Sequence, residues 1–211
     1  MCKKVIQEIR DMYKEITDIP KAASLLLKET NFSKYYPVQI VDVAKELGFK
    51  VYDIDISDKN LSSLIAIDLK YQEKFGTDKI ILINNKDDYG HQRYSIAYEL
   101  AQYIFDFDEK NSIVYYNTFF VKDMSVESPR EKRANYFASC ILMPETKFKI
   151  KYSEYNDENS LLETTKKLAD EFKVSAEAVH RRLIELKLIA TEPSESEFSE
   201  TSGKDEGNGN E

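Results

Sequence analysis

Residues 131–144 read Glu-Lys-Arg-Ala-Asn-Tyr-Phe-Ala-Ser-Cys-Ile-Leu-Met-Pro, and the predicted fold rests mainly on this stretch. Pro129 precedes it, and a proline suits the first turn of a helix because no backbone N–H is needed there. The proline at its end stops that helix or starts the next one, so we predict a helix over residues 129–143. Upstream, residues 92–105 carry a second long helical pattern, Gln-Arg-Tyr-Ser-Ile-Ala-Tyr-Glu-Leu-Ala-Gln-Tyr-Ile-Phe.

Shorter patterns on both sides of these helices indicate a small sheet among further helices. Apolar residues at three- and four-residue spacings predict helices over residues 3–16, 21–29, 37–47, 160–172 and 175–186. Short apolar or alternating runs predict strands over residues 49–56, 65–69 and 79–83. Three short strands in succession suggest a meander, and residues 111–121 hold either another strand or an irregular crossover.

The two long helices resemble the two motifs of the ImmA/IrrE family of metallo-endopeptidases. That family typically carries Arg-Phe-Thr-Ile-Ala-His-Glu-Leu-Gly-His and, further on, Glu-x-x-Ala-Asn-x-Phe-Ala-x-x-Leu-Leu-Met-Pro. Here the second motif is matched closely from Glu131 to Pro144, whereas the first has lost both histidines and the glycine. The resemblance extends over roughly residues 37–190. It implies an α+β fold, namely a zincin-like metallopeptidase domain with a small, mostly antiparallel sheet, N-terminal helices and a C-terminal helical pair.

The patterns and the resemblance together divide the chain into four parts. We expect N-terminal helices over residues 1–36, the zincin-like domain over 37–158 and a helix-turn-helix-like pair packed on it over 159–190. Residues 191–211 hold seven acidic residues and one lysine, so they carry −6 of the net charge of −8. Their low apolar content predicts a disordered acidic tail.

The resemblance also implies where the family's chemistry would lie. A zincin holds zinc with two histidines four residues apart on one helix and a third ligand from another helix, while a glutamate acts as general base. Carried over position by position, the histidines fall on Tyr98 and Gln102, the base on Glu99 and the third ligand on Glu131. Arg133 is the alternative position for that third ligand.

The altered ligand positions argue against a zinc site in this chain. A carboxamide is a poor zinc ligand, and a phenol must first lose a proton with a pKa near 10. We therefore predict no cofactor, with Glu99 as a vestigial base. One interpretation is that Tyr98 and Gln102 replace the metal by donating hydrogen bonds to Glu131 and Glu99. The other is that both residues have drifted in an unused cleft.

The composition bounds the setting of the protein. The chain has 211 residues, of which 42% are hydrophobic, enough for a sizeable core. Cys2 and Cys140 form no spaced framework, which fits a reducing compartment. No apolar run reaches the roughly 18 residues of a membrane span, and the first residues do not resemble a signal peptide. We expect a soluble, cytoplasmic protein without membrane contact.

Three functions follow from these features. The favoured one is a non-catalytic relative of the family that binds a regulatory protein, because members of this family act with helix-turn-helix repressors, often in mobile elements, and active members cleave them. The first alternative is an active zinc endopeptidase with an atypical site that cleaves a repressor. The second is a DNA-binding regulator acting through residues 160–187, although acidic residues interrupt the basic ones there.

Overall fold

The computed structural model describes residues 2–12, 18–58, 61–107, 113–117, 128–157 and 159–190. The helices are α1 (Cys2–Met12), α2 (Ile19–Glu29), α3 (Ile40–Glu46), α4 (Tyr71–Phe75), α5 (Tyr89–Asp106), α6 (Pro129–Leu142), α7 (Glu145–Asn156), α8 (Leu161–Phe172) and α9 (Ala176–Glu185). The strands are β1 (Lys50–Ile54), β2 (Ser63–Ile67), β3 (Lys79–Asn84) and β4 (Ile113–Asn117). No helix in this part of the chain is both long and apolar enough to span a membrane. The acidic tail lies outside the described residues.

The sheet has the strand order β1-β3-β2-β4, and two of its three strand pairs are antiparallel. The predicted α+β class with a mostly antiparallel sheet is therefore confirmed, but the predicted meander is wrong. β1 pairs in parallel with β3 instead of with its successor β2. The reason lies in side-chain character, because Ile80, Ile81 and Ile83 make β3 the natural central strand. β1 exposes Lys50 and Asp53, which suit an edge.

The third helix begins later than the sequence predicts. We expected it to open at Pro37, but α3 starts at Ile40. The carbonyl oxygen of Val38 accepts hydrogen bonds from the Arg93 guanidinium at 2.7 Å and from the N–H of Ile40 at 2.9 Å. The segment before α3 thus serves as an acceptor for a buried arginine rather than as a first helical turn.

Helix α5 runs through the centre of the molecule. It packs against β2, β3, α3 and α6, and the twelve consecutive residues from Arg93 to Ile104 are all buried. Such a helix must bury its polar side chains as well as its apolar ones. Those polar groups need hydrogen-bond partners inside the protein, because an unpaired buried polar group costs roughly 1–3 kcal/mol.

Helix α1 is attached to the end of α5 by one side chain. The Arg10 guanidinium donates hydrogen bonds to the carbonyl oxygens of Tyr103, Ile104 and Phe107 at 3.1, 2.6 and 3.2 Å. The last carbonyls of a helix lack partners within the helix and carry partial negative charge. A cation at this position therefore stabilises the C-terminus of α5 and fixes where α1 lies.

The C-terminal pair docks on the other end of α5 through a glycine. A Cβ atom at Gly90 would lie 2.7 Å from the carbonyl carbon of Val174 and 2.8 Å from the backbone nitrogen of Ser175. These two residues form the turn between α8 and α9. Nearby, the Nε of Arg93 donates to the carbonyl oxygen of Lys173 at 2.9 Å. Close backbone packing therefore sets the position of the helical pair.

Replacing Gly90 with alanine is expected to destabilise the protein by about 1–3 kcal/mol, because backbone atoms must move to admit the methyl group. Urea unfolding measures this change. Lys166→Ala is the control, since this exposed lysine lies on α8 itself, away from the turn. It should cost less than about 0.5 kcal/mol. Equal midpoints for Gly90→Ala and the unaltered chain would show that the turn between α8 and α9 does not rest on this helix as described.

Candidate functional site

The four residues carried over from the family motif lie at the contact between α5 and α6. Tyr98, Glu99 and Gln102 are on α5 and are 4%, 0% and 5% exposed. Glu131 is in the first turn of α6 and is exposed. Tyr98 and Gln102 share one helix face because they are four residues apart. Glu131 and Glu99 both raise the pKa of Tyr98 electrostatically, so the structure brings the set together.

Glu99 is a fully buried carboxyl facing β2. Its Oε1 accepts a hydrogen bond of 2.7 Å from the Ser63 hydroxyl. Its Oε2 is buried and has no hydrogen-bond partner among the described residues. Burial raises the pKa of Glu99 to about 8, although the Ser63 hydrogen bond and the charge of Arg130 partly oppose this. The folded protein therefore holds Glu99 mostly protonated at neutral pH, whereas a general base has to be ionised.

Tyr98 is held in its neutral form. Burial raises the pKa of its phenol well above the usual value, and the charges of Glu131 and Glu99 raise it further. The nearby Arg130 and a hydrogen bond with Gln102 oppose this rise only in part. Strong zinc ligation by a tyrosine requires the phenolate. Tyr98 is therefore a hydrogen-bonding group in this cleft rather than an anionic ligand.

Arg130 supplies a positive charge beside the former ligand positions. Its Nη2 donates a hydrogen bond to Oε1 of Gln102, and its Nε donates to Oδ2 of Asp106 at 3.2 Å. Asp106 also accepts from Arg133, which completes a cluster of three charged groups. The charge of Arg130 lowers the pKa of Tyr98, Glu99 and Glu131 relative to what burial and the other acids would impose.

The sequence reasoning did not identify Arg130, Asp106 or Ser63. A signal for two of them was present, because Asp106 follows Gln102 by one helical turn and Arg130 directly precedes Glu131. Nothing local pointed to Ser63, which lies 36 positions before Glu99 and reaches it through the packing of β2 on α5. Long-range contacts of this kind depend on the fold.

Glu131 is engaged in capping its own helix. Its Oε2 accepts a hydrogen bond of 2.7 Å from the backbone N–H of Ser128, and its own N–H donates to the Ser128 hydroxyl at 3.2 Å. These hydrogen bonds lower the pKa of Glu131. The carboxylate of Glu131 thus accepts from Ser128, whereas one of the two interpretations of the sequence gave it Tyr98 and Gln102 as donors. Arg133, the alternative ligand position, pairs with Asp106.

The residues at these positions do not fit a zinc ion. The phenol of Tyr98 is neutral, the amide oxygen of Gln102 accepts from a guanidinium, and Glu131 is engaged by Ser128. In addition, Arg130 already provides positive charge, which repels a second cation. Within the described ranges, no group of three or more histidine, cysteine, aspartate or glutamate residues is arranged to hold a metal.

Two other reactive side chains lie away from this set. The Nε2 of His91 is 3.0 Å from the Ser62 hydroxyl and 3.8 Å from Oδ2 of Asp87, near the start of α5. Both neighbours therefore approach the same ring nitrogen of His91. Cys140 is buried, and burial raises the pKa of its thiol to about 11. It therefore stays a protonated, packed side chain at neutral pH.

Helix α9 exposes a mixed face. Ala178, Val179, Arg182 and Leu183 are buried, so the helix turns the positions between them outward. Arg181 on that side lies 3.9 Å from the exposed Glu177. The second arginine, Arg182, is 1% exposed and is turned into the protein, away from the outer face of α9. This helix therefore carries no continuous basic stripe. Such a stripe is the surface feature that a DNA-binding helix would show.

Comparison with known proteins places this geometry in a family. A family model described as the IrrE N-terminal-like domain matches residues 44–184, which include α5, α6, α8 and all but the last residue of α9. The comparison with curated proteins gives no match.

Among solved structures, a transcriptional regulator from Mycobacterium tuberculosis is similar, with a TM-score of 0.51 and 20% sequence identity. The match covers 85% of this chain but 51% of the regulator, so this chain spans about half of that protein's length. At this identity the likeness shows the fold alone. Because the family model covers well over half of the chain, the protein belongs to the IrrE N-terminal-like domain family.

Proposed function

We propose that this chain is a non-catalytic member of its family that binds a regulatory protein without cleaving it. The observation that carries the proposal is the hydrogen bond from Arg130 to Gln102, at a position where the family motif has a histidine. A guanidinium balances negative charge in the cleft but cannot activate a water molecule as a zinc ion does. Glu99 supports the same conclusion, since a protonated carboxyl cannot take a proton from water.

The proposed partner is a repressor of the helix-turn-helix type, including one encoded by a mobile element. Its basis is the resemblance to the family, whose members act on such repressors. The likeness in fold to a transcriptional regulator is compatible with this role. Around the cleft, Arg130 and Glu131 remain partly or fully accessible at the start of α6. Both can contact a docked protein while the buried residues of α5 hold the cleft together.

The test measures metal content and repressor cleavage on the full chain. Purified protein is expected to carry less than roughly a tenth of an equivalent of zinc, because its donor set is poor. The repressor encoded nearest to its gene should bind in titration calorimetry and remain full-length by mass spectrometry. The variant Tyr98→His/Gln102→His/Arg130→Ala, which restores the family's histidines and removes the competing cation, serves as a positive control for zinc detection.

Each part of the proposal has a result that would overturn it. Stoichiometric zinc in the unaltered chain that disappears in Glu131→Ala would support the active, atypical peptidase instead. Absence of any repressor binding would leave the non-catalytic part standing and remove the partner. Binding to duplex DNA with a steep dependence on salt would favour the DNA-binding alternative.

A further inference from the structure

A second cleft lies at the opposite end of α6 from Glu131. It has a volume of about 520 Å³ and is bounded by α2, the junction of α6 and α7, and Arg182 of α9. Cys140 in its wall follows Glu131 by nine residues, which corresponds to roughly 13 Å along the helix axis. Volumes of about 300–1,000 Å³ are typical of small-molecule sites. The cleft is therefore large enough for a ligand and separate from the former metal position.

The floor of this cleft contains a buried guanidinium with unused donors. Arg182 is 1% exposed, and its Nε donates to the carbonyl oxygen of Met143 at 3.1 Å. Its Nη1 donates to Oε2 of Glu185 at 3.0 Å and to Sγ of Cys140 at 3.4 Å. A guanidinium has five N–H donors, so these bonds use three of them. Within the described part of the chain, Nη2 makes no hydrogen bond, which leaves two donors on a lining residue for a ligand.

The rim adds positive charge and hydroxyl groups. Lys21 and Lys28 line the cleft from exposed positions on α2. Lys21 lies 3.3 Å from Asp18, whereas the ammonium of Lys28 forms no ion pair with any described residue. The cleft is also lined by three hydroxyl side chains, those of Ser24, Ser33 and Thr146.

The negative charge in the lining is small and already compensated. Glu145 is the single carboxylate among the described lining residues, and Lys149 binds it at 2.6 Å. Apolar walls complete the cleft, since Leu25, Leu27 and Pro144 also line it. A ligand that matches this lining has one anionic group, which contacts the floor and the rim. It also has an apolar body, which contacts the walls.

We propose that this cleft binds a small amphiphilic anion, meaning one carboxylate or phosphate group carried on an apolar body. The anionic group accepts hydrogen bonds from Nη2 of Arg182 and from the hydroxyls of the lining, with Lys28 at the rim. Charge-assisted hydrogen bonds to a guanidinium are among the stronger polar contacts in proteins. The ligand would contact α2, α6, α7 and α9 together, so its binding also stabilises the folded state.

The test uses the fluorescent sulfonate 1-anilinonaphthalene-8-sulfonate with the full, folded chain. We expect saturable binding of one equivalent with a Kd below about 0.1 mM. Lys28→Glu should weaken binding at least about tenfold through charge reversal at the rim. Lys166→Glu, the same change at an exposed site on α8 outside the cleft, should alter the Kd less than about twofold. Ser24→Trp, an exposed position on α2 whose new side chain fills the cleft, should abolish binding.

Competition experiments define the ligand class. Octanoate should displace the probe, while 1-octanol, which lacks the charge, and inorganic phosphate, which lacks the apolar body, should not do so at equal concentration. Failure of octanoate to displace the probe would overturn the proposal. Equal weakening by Lys28→Glu and Lys166→Glu, or unchanged binding in Ser24→Trp, would also overturn it, because the probe would then bind elsewhere.

Discussion

Between pH 6 and pH 8 the free energy of unfolding of the unaltered chain is expected to fall. Replacing Glu99 with glutamine should abolish most of that fall. The pKa of Glu99 rises from 4.5 to about 8 on folding, because the carboxyl is completely buried. Between these values the unfolded chain has released the proton and the folded chain still holds it. The contribution of Glu99 to stability is therefore greatest below pH 4.5. It is lost as the pH rises from 4.5 to about 8, by about 1.4 kcal/mol per pH unit.

The size of this effect makes it measurable by urea unfolding at two pH values. From pH 6 to pH 8 the unaltered chain should lose roughly 2 kcal/mol on account of Glu99. Glutamine is neutral at both values, and its amide oxygen can still accept from Ser63, so Glu99→Gln should lose far less. Glu46→Gln on the exposed side of α3 makes the same change in formal charge and should leave the pH dependence of the chain as it was. An unchanged pH dependence in Glu99→Gln would mean that Glu99 is ionised in the folded protein.

Glu99 also shows how much of the chemistry of the candidate site could be predicted from the sequence. A carboxylate that loses its cation needs donors or a proton, and this expectation follows from the altered motif alone. Which of the two applies depends on Ser63, which donates one hydrogen bond and leaves Oε2 without a partner among the described residues. That outcome depends on how β2 packs against α5. It could not be predicted from the residues next to Glu99.

The helices could be predicted better than the sheet. The sequence predicted α6 to within one residue, because Pro129 marks the start of the helix and Pro144 follows its end. Strand order could not be predicted in this way, because the parallel pairing of β1 with β3 joins residues about thirty positions apart. The start of α3 was predicted wrongly for a similar reason. Its boundary depends on Arg93, a residue of another helix that uses the Val38 carbonyl.

The local motifs also predicted where the candidate site lies, but they did not predict its chemistry. Tyr98 and Gln102 could be recognised as altered ligand positions, but their partners could not. The cation now beside them comes from Arg130, and its orientation depends on Asp106 at the end of α5. Three polar groups from two helices had to be placed together before the charge balance of the cleft became visible.

Replacing Arg182 with methionine is expected to destabilise the protein by about 3–5 kcal/mol, the usual cost of leaving a buried charge without its partner. The affected group is Glu185, whose side chain is 17% exposed and whose pKa burial already raises. Among the described residues, the Ser139 hydroxyl, 2.7 Å away, would still donate to it, and the charge of Arg181 would still act on it. Arg181→Met is the matched control, because this neighbouring arginine pairs at 3.9 Å with the 71% exposed Glu177. Exposed pairs contribute about 0–1 kcal/mol.

The double variant Arg182→Met/Glu185→Leu distinguishes a paired charge from lost packing. If the penalty arises from the stranded carboxylate, removing it should restore about 2 kcal/mol or more relative to Arg182→Met alone. A double variant no more stable than the single one would assign the loss to packing around Met143 and Cys140. Recovery would mean that the ion pair adds little stability over apolar side chains. That recovery would fit a guanidinium whose two Nη2 donors, unused by the described chain, serve the second cleft rather than the stability of the fold.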